Sequence, residues 1–246
     1  MMATPTPPAE QPDNWQTPQH ILVVLAHPDD PEFFCGGTLA RWHTAGHSLA
    51  YALLTCGDKG SDDRSLSNEA LCALRRREQR AAADELGVGR IHWLDLPDGY
   101  LVPDLSLRQK IVRLIRLERP TILVGCDPTH LFVRESYLNH PDHRAAGQAL
   151  VDAVFPAAGN HRYFPELLAE DLEPHRPNEV WLSLAAQPNV ILDVTAHWET
   201  KLRALLHHAS QIGDPEKFLQ RMKARRTEDS SEESPRYEER FRRIVF

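Results

Sequence analysis

The sequence predicts an α/β protein in which a doubly wound, mostly parallel sheet is covered by helices on both faces. Three observations predict it. Short, unbroken apolar runs such as residues 20–26 (HILVVLA) and 121–126 (TILVGC) read as strands buried on both sides. Segments with helical periodicity separate those runs, which is the βαβ pattern of a parallel sheet. A chain of 246 residues with 41% hydrophobic and 26% charged side chains is sufficient for one such core.

Residues 1–18 hold five of the 19 prolines and little to bury, and read as a flexible arm. The first strand, 20–26, leads into a helix over 36–45 and a second apolar run over 49–55. Residues 69–86 form a long helix, because Ala, Leu, Arg and Glu dominate it and Gly87 stands where a stop is needed. A third strand follows at 90–94, and Leu107, Ile111, Leu114 and Ile115 then recur on one helical face before Pro120. After the fourth strand, 121–126, a helix over 142–155 sets Ala146, Leu150 and Val154 on one side. Strands near 180–184 and 190–194 and a helix from 198 to 209 complete a single Rossmann-like domain, taken as residues 19–220. Residues 221–246 carry eight basic and six acidic side chains around a serine-rich middle, and read as a charged tail, partly docked or disordered.

Composition excludes several functions. With 35 acidic against 28 basic residues the net charge is −7, opposite to what phosphate-backbone binding requires, so nucleic acid is not an expected partner. No apolar run is long enough to span a bilayer, and the N-terminus lacks the basic and apolar regions of a signal peptide. Cys35, Cys56, Cys72 and Cys126 show no metal or redox spacing, so reduced thiols and a cytoplasmic location are expected. Neither GxGxxG nor GxSxG occurs, which argues against a dinucleotide loop and a serine nucleophile.

Ligands of parallel α/β sheets sit beyond the carboxyl ends of the strands, where strand order reverses. Directly after the first strand stands His27-Pro28-Asp29-Asp30-Pro31-Glu32. This is either a polar turn with Asp29 or Asp30 capping the next helix, or a cation site of imidazole and carboxylate suited to zinc or ferrous iron. Beyond the fourth strand stands Asn139-His140-Pro141-Asp142-His143. Pro141 fits a first helical position, the spacing of His140 and His143 brings both to one side of a first turn, and Asp142 suits the helix dipole there. Two such clusters, each following a strand, favour the metal reading.

These residues carry a resemblance. His27-Pro28-Asp29-Asp30 with Glu32 and Gly36-Gly37-Thr38, followed by His140-Pro141-Asp142-His143, is similar to the LmbE/PIG-L family of metal-dependent N-deacetylases. The likeness runs from about residue 20 to 212, taking in 55–61 (TCGDKGS), 75–87 and 95–99. It implies a zinc-dependent hydrolase (Fe2+ as the alternative metal) that removes an acetyl group from an N-acetylglucosaminyl-type small molecule. It implies His27, Asp30 and His143 as metal ligands, Asp29 as general base, His140 at the oxyanion and leaving amine, and Arg75 at the substrate. Beside that, the helix N-terminus favours a neutral His140 and Asp142 favours its cation, which sets Asp142 as a catalytic partner. A homo-oligomer is compatible with the resemblance. The other readings are a different amide at the same site, or a metal- or sugar-binding module without turnover. One departure is Pro31, which separates the aspartate pair from Glu32 and leaves that glutamate without an expected role. His208, with Ser210 and Gln211, resembles a late family segment near the site's rim, although a histidine there also suits a helix C-terminus.

Overall fold

In a computed structural model, which describes residues 9, 10, 12–134 and 137–246, strand β2 (His20–Leu25) lies at the centre of the sheet. Its side chains alternate between two cores, as a period of two requires. Ile21, Val23 and Leu25 pack into one apolar cluster, and Leu22 and Val24 into the other. The first cluster is closed by α1 (Asp30–Thr44), α2 (Asn68–Glu85) and α5 (Trp198–Leu206), the second by α3 (Leu105–Glu118) and α4 (Pro141–Asp152). Helices therefore cover both faces, as expected.

From β2 the chain moves outward through parallel β3 (Ser48–Leu53) and β4 (Val88–Trp93). It then returns to β2's other side as parallel β5 (Ile122–Cys126), joined by β8 (Glu179–Ser183). Strand order thus reverses between β2 and β5, and the two histidine clusters leave the carboxyl ends of those two strands. A small hairpin, β6 (Phe132–Arg134) and β7 (Tyr137–Leu138), lies between β5 and α4. Beyond β8 come β9 (Val190–Asp193), α6 (Ala209–Ile212) and α7 (Pro215–Lys223). Strand β1 (Ala9–Glu10) pairs in parallel with β9.

The structure corrects both ends. Residues 221–246 are not a tail: they finish α7 and supply β10 (Glu238–Val245), which inserts antiparallel between β8 and β9. Phe241 is fully buried and Glu239 nearly so, while Arg240 and Arg242 face outward. This is an ordinary strand alternation, hidden in the sequence by the number of charges. Part of the expected flexible arm is docked as well. Asp13 accepts hydrogen bonds from Arg41 Nε (2.9 Å) and Trp42 Nε1 (3.0 Å), and Trp15 Nε1 donates to Glu179 Oε1 (3.1 Å). Residues 1–8 and 11 lie outside the described residues.

Helix α1 begins at Asp30, six residues before the expected start at 36, and is broken at Cys35 (φ −147°, ψ 18°). The break is stabilised from outside the helix. Phe33 O accepts from Lys201 Nζ (2.9 Å), and the N–H groups of Gly37 and Thr38 donate to the Glu239 carboxylate (3.0 and 2.8 Å). Lys201 and Glu239 pair at 2.6 Å, both nearly fully buried. Cys56 and Cys72 form a disulfide (Cα–Cα 5.2 Å), where free thiols were expected. Sixteen residues separate them, so only the packing of the 57–67 loop on α2 brings them together. Cys35 and Cys126 are free and buried. Among the described residues no helix is long and apolar enough to cross a membrane.

Candidate metal centre

Donor atoms of His27, Asp30 and His143 converge where β2 and β5 end. His143 Nε2 lies 3.0 Å from Asp30 Oδ1 and 3.3 Å from His27 Nδ1, and His27 Nδ1 lies 3.4 Å from Asp30 Oδ2. A tetrahedral cation with bonds of about 2.0–2.1 Å needs donors roughly 3.3 Å apart, and the two histidines stand at that scale from each other and each from one oxygen of the Asp30 carboxylate. Two further triplets stand beside it, His27–His140–His143 and His27–Asp98–Asp142, each with donor atoms within 4.8 Å of one another. The group with Asp30 mixes two imidazoles with one carboxylate.

Local structure aims each donor. Asp30 Oδ2 accepts the backbone N–H of His27 (2.9 Å), closing the turn. Asn139, 3% exposed, accepts from His143 Nδ1 (3.0 Å) while its own Nδ2 donates to His130 O (2.8 Å). The His143 proton is thereby assigned to Nδ1, and the Nε2 lone pair points into the triangle. His27 Nε2 faces away, 3.1 Å from Asp98 Oδ1 and 3.4 Å from Asp142 Oδ2. Burial opposes a cationic His27, but Asp30, Asp142 and Asp98 outweigh it and carry its pKa to about 12. Burial likewise opposes the Asp30 charge, and His143 and His27 hold it well below the usual carboxylate range. The same balance, with His27 and the Lys59 N–H as the favourable partners, brings Asp98 down to about 2. Three carboxylates around two imidazoles leave a surplus of negative charge, which suits a divalent cation.

Asp29 borders this triangle without belonging to it. Its backbone is left-handed (φ 78°), and Arg75 Nη2 donates to its Oδ2 (2.9 Å). Burial pushes Asp29 up to about 6, against the pull of Arg75. The sequence resemblance set Arg75 at the substrate, but the structure places it beneath Asp29. It is 4% exposed, with Nη1 donating to Gly57 O (2.9 Å) and Nη2 also to Pro28 O (2.8 Å). Gly57 has φ +69°, and a Cβ there would overlap the guanidinium, which explains the glycine in the 55–61 segment.

His140 caps α4: its Nδ1 accepts the Asp142 N–H (3.1 Å), so a neutral ring carries its proton on Nε2. Burial, with His27 and His143 nearby, keeps its pKa below the ordinary value. The His140 ring centroid is 4.7 Å from that of His27 and 5.3 Å from that of His143. Asp142 favours the His140 cation electrostatically, as expected, while its carboxylate makes its hydrogen bonds elsewhere. It accepts the N–H groups of Gly99 (2.8 Å) and Leu101 (3.1 Å) and faces His27, so it orients the loop after β4 and the first ligand.

Sequence reasoning missed Asp98, Asn139, Gln79 and the partner of Glu32. Asp98 lies in the 95–99 stretch and Asn139 begins the second cluster, so their neighbourhood was flagged but not their roles. The Glu32 carboxylate is fully buried, 3.2 Å from His208 Nε2 and 2.9 Å from Gln79 Nε2. His208 is fully buried too, beneath the site rather than at a rim.

A parallel α/β sheet with histidine and aspartate donors gathered at its switch point defines a class: an α/β protein with a potential site for a metal ion. More narrowly, the chain belongs to the PIG-L family, described as GlcNAc-PI de-N-acetylase, which matches residues 22–154. Diacetylchitobiose deacetylase of Thermococcus kodakarensis is 36% identical over 192 residues, covering 78% of this chain and 70% of that one. A probable N-acetyl-alpha-D-glucosaminyl L-malate deacetylase 2 of Bacillus anthracis is 28% identical over 202 residues, covering 79% and 82%. The solved structure of N,N'-diacetylchitobiose deacetylase from Pyrococcus horikoshii shares the fold with a TM-score of 0.82 at 30% identity, covering 92% of this chain and 84% of that one.

Proposed function

We propose that this protein is a zinc-dependent N-deacetylase that hydrolyses the acetamide of an N-acetylglucosaminyl-type small molecule. The single observation that carries the reading is the His27–Asp30–His143 triangle with Asp29, an unligated carboxylate, directly beside it. Kinship with deacetylases of N-acetylated sugars supports the acetamide and the sugar. The donor set supports zinc, since two imidazoles and one carboxylate leave a fourth position open.

Held by His27, Asp30 and His143, zinc would supply Lewis acidity toward a water molecule and a carbonyl oxygen. Asp29 takes the proton of the attacking water, and its raised pKa suits a base working near neutrality. Arg75 fixes the carboxylate in place and keeps one oxygen occupied, leaving the other to receive the proton. His140 donates its Nε2–H to the developing negative charge on the former carbonyl oxygen and then faces the departing amine. The C–N bond breaks as Asp29 returns its proton to nitrogen, giving acetate and a primary amine. Asp98 and Asp142 hold the His27 ring from behind.

Metal analysis of the purified protein, followed by primary-amine and acetate release from a panel of N-acetylglucosaminides, tests this reading. A chelator should abolish turnover and added zinc restore it. Stoichiometric metal with no amine release from any acetamide would overturn the assignment.

A further inference from the structure

We propose that Gln79 and Glu32 are positioning residues for the reaction, holding Asp29 in its left-handed backbone conformation through a hydrogen-bonded relay that touches neither metal nor substrate. The inference rests on Asp29 being the base. An L-residue held near φ 78° is strained, so something must oppose its relaxation. The Asp29 N–H donates to Gln79 Oε1 at 2.8 Å, and any return to right-handed backbone would swing that N–H away. The amide of Gln79 has only two polar ends. Its other end, Nε2, donates to Glu32 Oε1 at 2.9 Å.

Glu32 therefore sets the direction of the amide. Were Gln79 flipped, its NH2 would face the Asp29 N–H, and its oxygen would face a carboxylate; both contacts would be repulsive. Glu32 is itself fixed by Tyr51 Oη (3.3 Å) and His208 Nε2 (3.2 Å), and Glu32, Gln79, Tyr51 and His208 are all fully buried. Burial opposes the His208 cation, but hydrogen bonding and attraction to Glu32 raise its pKa above the ordinary value. A buried carboxylate is costly unless fully partnered, and apolar contact between α1 and α2 would not need one. What this set accomplishes locally is a fixed acceptor for one backbone N–H, that of the proposed base. Pro31, which moves the glutamate one place from the aspartate pair, leaves Glu32 on the inward side of α1, where the relay begins.

The test uses the zinc-loaded full-length enzyme and N,N'-diacetylchitobiose, with amine release, metal content and Tm measured on every variant. Gln79→Glu keeps the shape but sets two carboxylates face to face, and Gln79→Met leaves the Asp29 N–H without its acceptor. Both should keep full metal and a KM near that of the parent while kcat falls about 10- to 100-fold, the scale of a misplaced catalytic group. The exchange Glu32→Gln with Gln79→Glu restores one donor and one acceptor at each contact, and should recover most of the kcat lost in Gln79→Glu. Parent-like kcat in both single variants at full metal would overturn the relay, as would a loss that tracks Tm or metal content and is not recovered by the exchange. Asp29→Asn separates the two readings. If it is inactive while the Gln79 variants are normal, only the relay fails; if it retains parent-like kcat at full metal, the base assignment fails and the relay with it.

Discussion

Replacing Glu239 by alanine should destabilise the protein severely, although Glu239 lies seven residues from the C-terminus and far in sequence from both motifs. Its carboxylate, 4% exposed, accepts Lys201 Nζ at 2.6 Å and the N–H groups of Gly37 and Thr38 at 3.0 and 2.8 Å. Truncation leaves a buried ammonium with Phe33 O as its remaining acceptor, and deprives the Gly37 and Thr38 N–H groups of theirs. Breaking a buried ion pair from one side costs about 3–5 kcal/mol, most of it from the charge left behind. For a domain of this size each kcal/mol lowers Tm by roughly 2–4 °C, so a midpoint about 6–20 °C lower is expected. Thermal unfolding followed by circular dichroism measures it. The double variant Glu239→Leu with Lys201→Met removes both charges and should regain about half the loss, the remainder being the unpaired N–H groups at roughly 1–3 kcal/mol. A Glu239→Ala protein within about 1 kcal/mol of the parent would refute the claim that this pair stabilises the break in α1.

Asp29→Ala should retain metal and lose turnover, whereas Asp30→Ala should lose metal affinity as well; equal metal content and full activity in either would remove the corresponding role. Asn139→Ala frees His143 Nδ1 from its acceptor, and should weaken zinc binding about 10- to 100-fold in a competition titration with a chromophoric chelator. Reducing Cys56–Cys72, or replacing both by serine, reopens a loop of 16 residues and should cost about 3 kcal/mol, or roughly 6–12 °C in Tm. Free-thiol counting under denaturing conditions should find two thiols before reduction and four after. Burial opposes the Glu179 charge, but Arg243, Trp15 and Trp181 hold its pKa below the ordinary value. Its stabilisation is therefore complete above the unfolded-state pKa of about 4.3 and is lost as pH falls through the lower folded value. The stability gap between parent and Glu179→Gln, from urea titrations, should be constant above about pH 5 and close below pH 4.

The sequence by itself determined the parallel sheet and the two motifs, because both are written locally. An apolar run such as 20–26 already states that it is covered on both faces, and His27 to Asp30 and His140 to His143 each fall within one turn of chain. The switch point followed too, once the runs were counted as strands. Tertiary structure alone decided what the motifs rest on. Glu32, Gln79 and His208 come from α1, α2 and the segment before α6, and no local pattern connects them. Arg75 is one of three consecutive arginines, 75–77, and only the fold of the 55–61 loop around it buries its guanidinium against Asp29. The C-terminal strand was hidden for the same reason. Charge counted along a chain describes solvation, whereas Glu239 is charged and buried because Lys201 and two helix N–H groups, distant in sequence, meet it there.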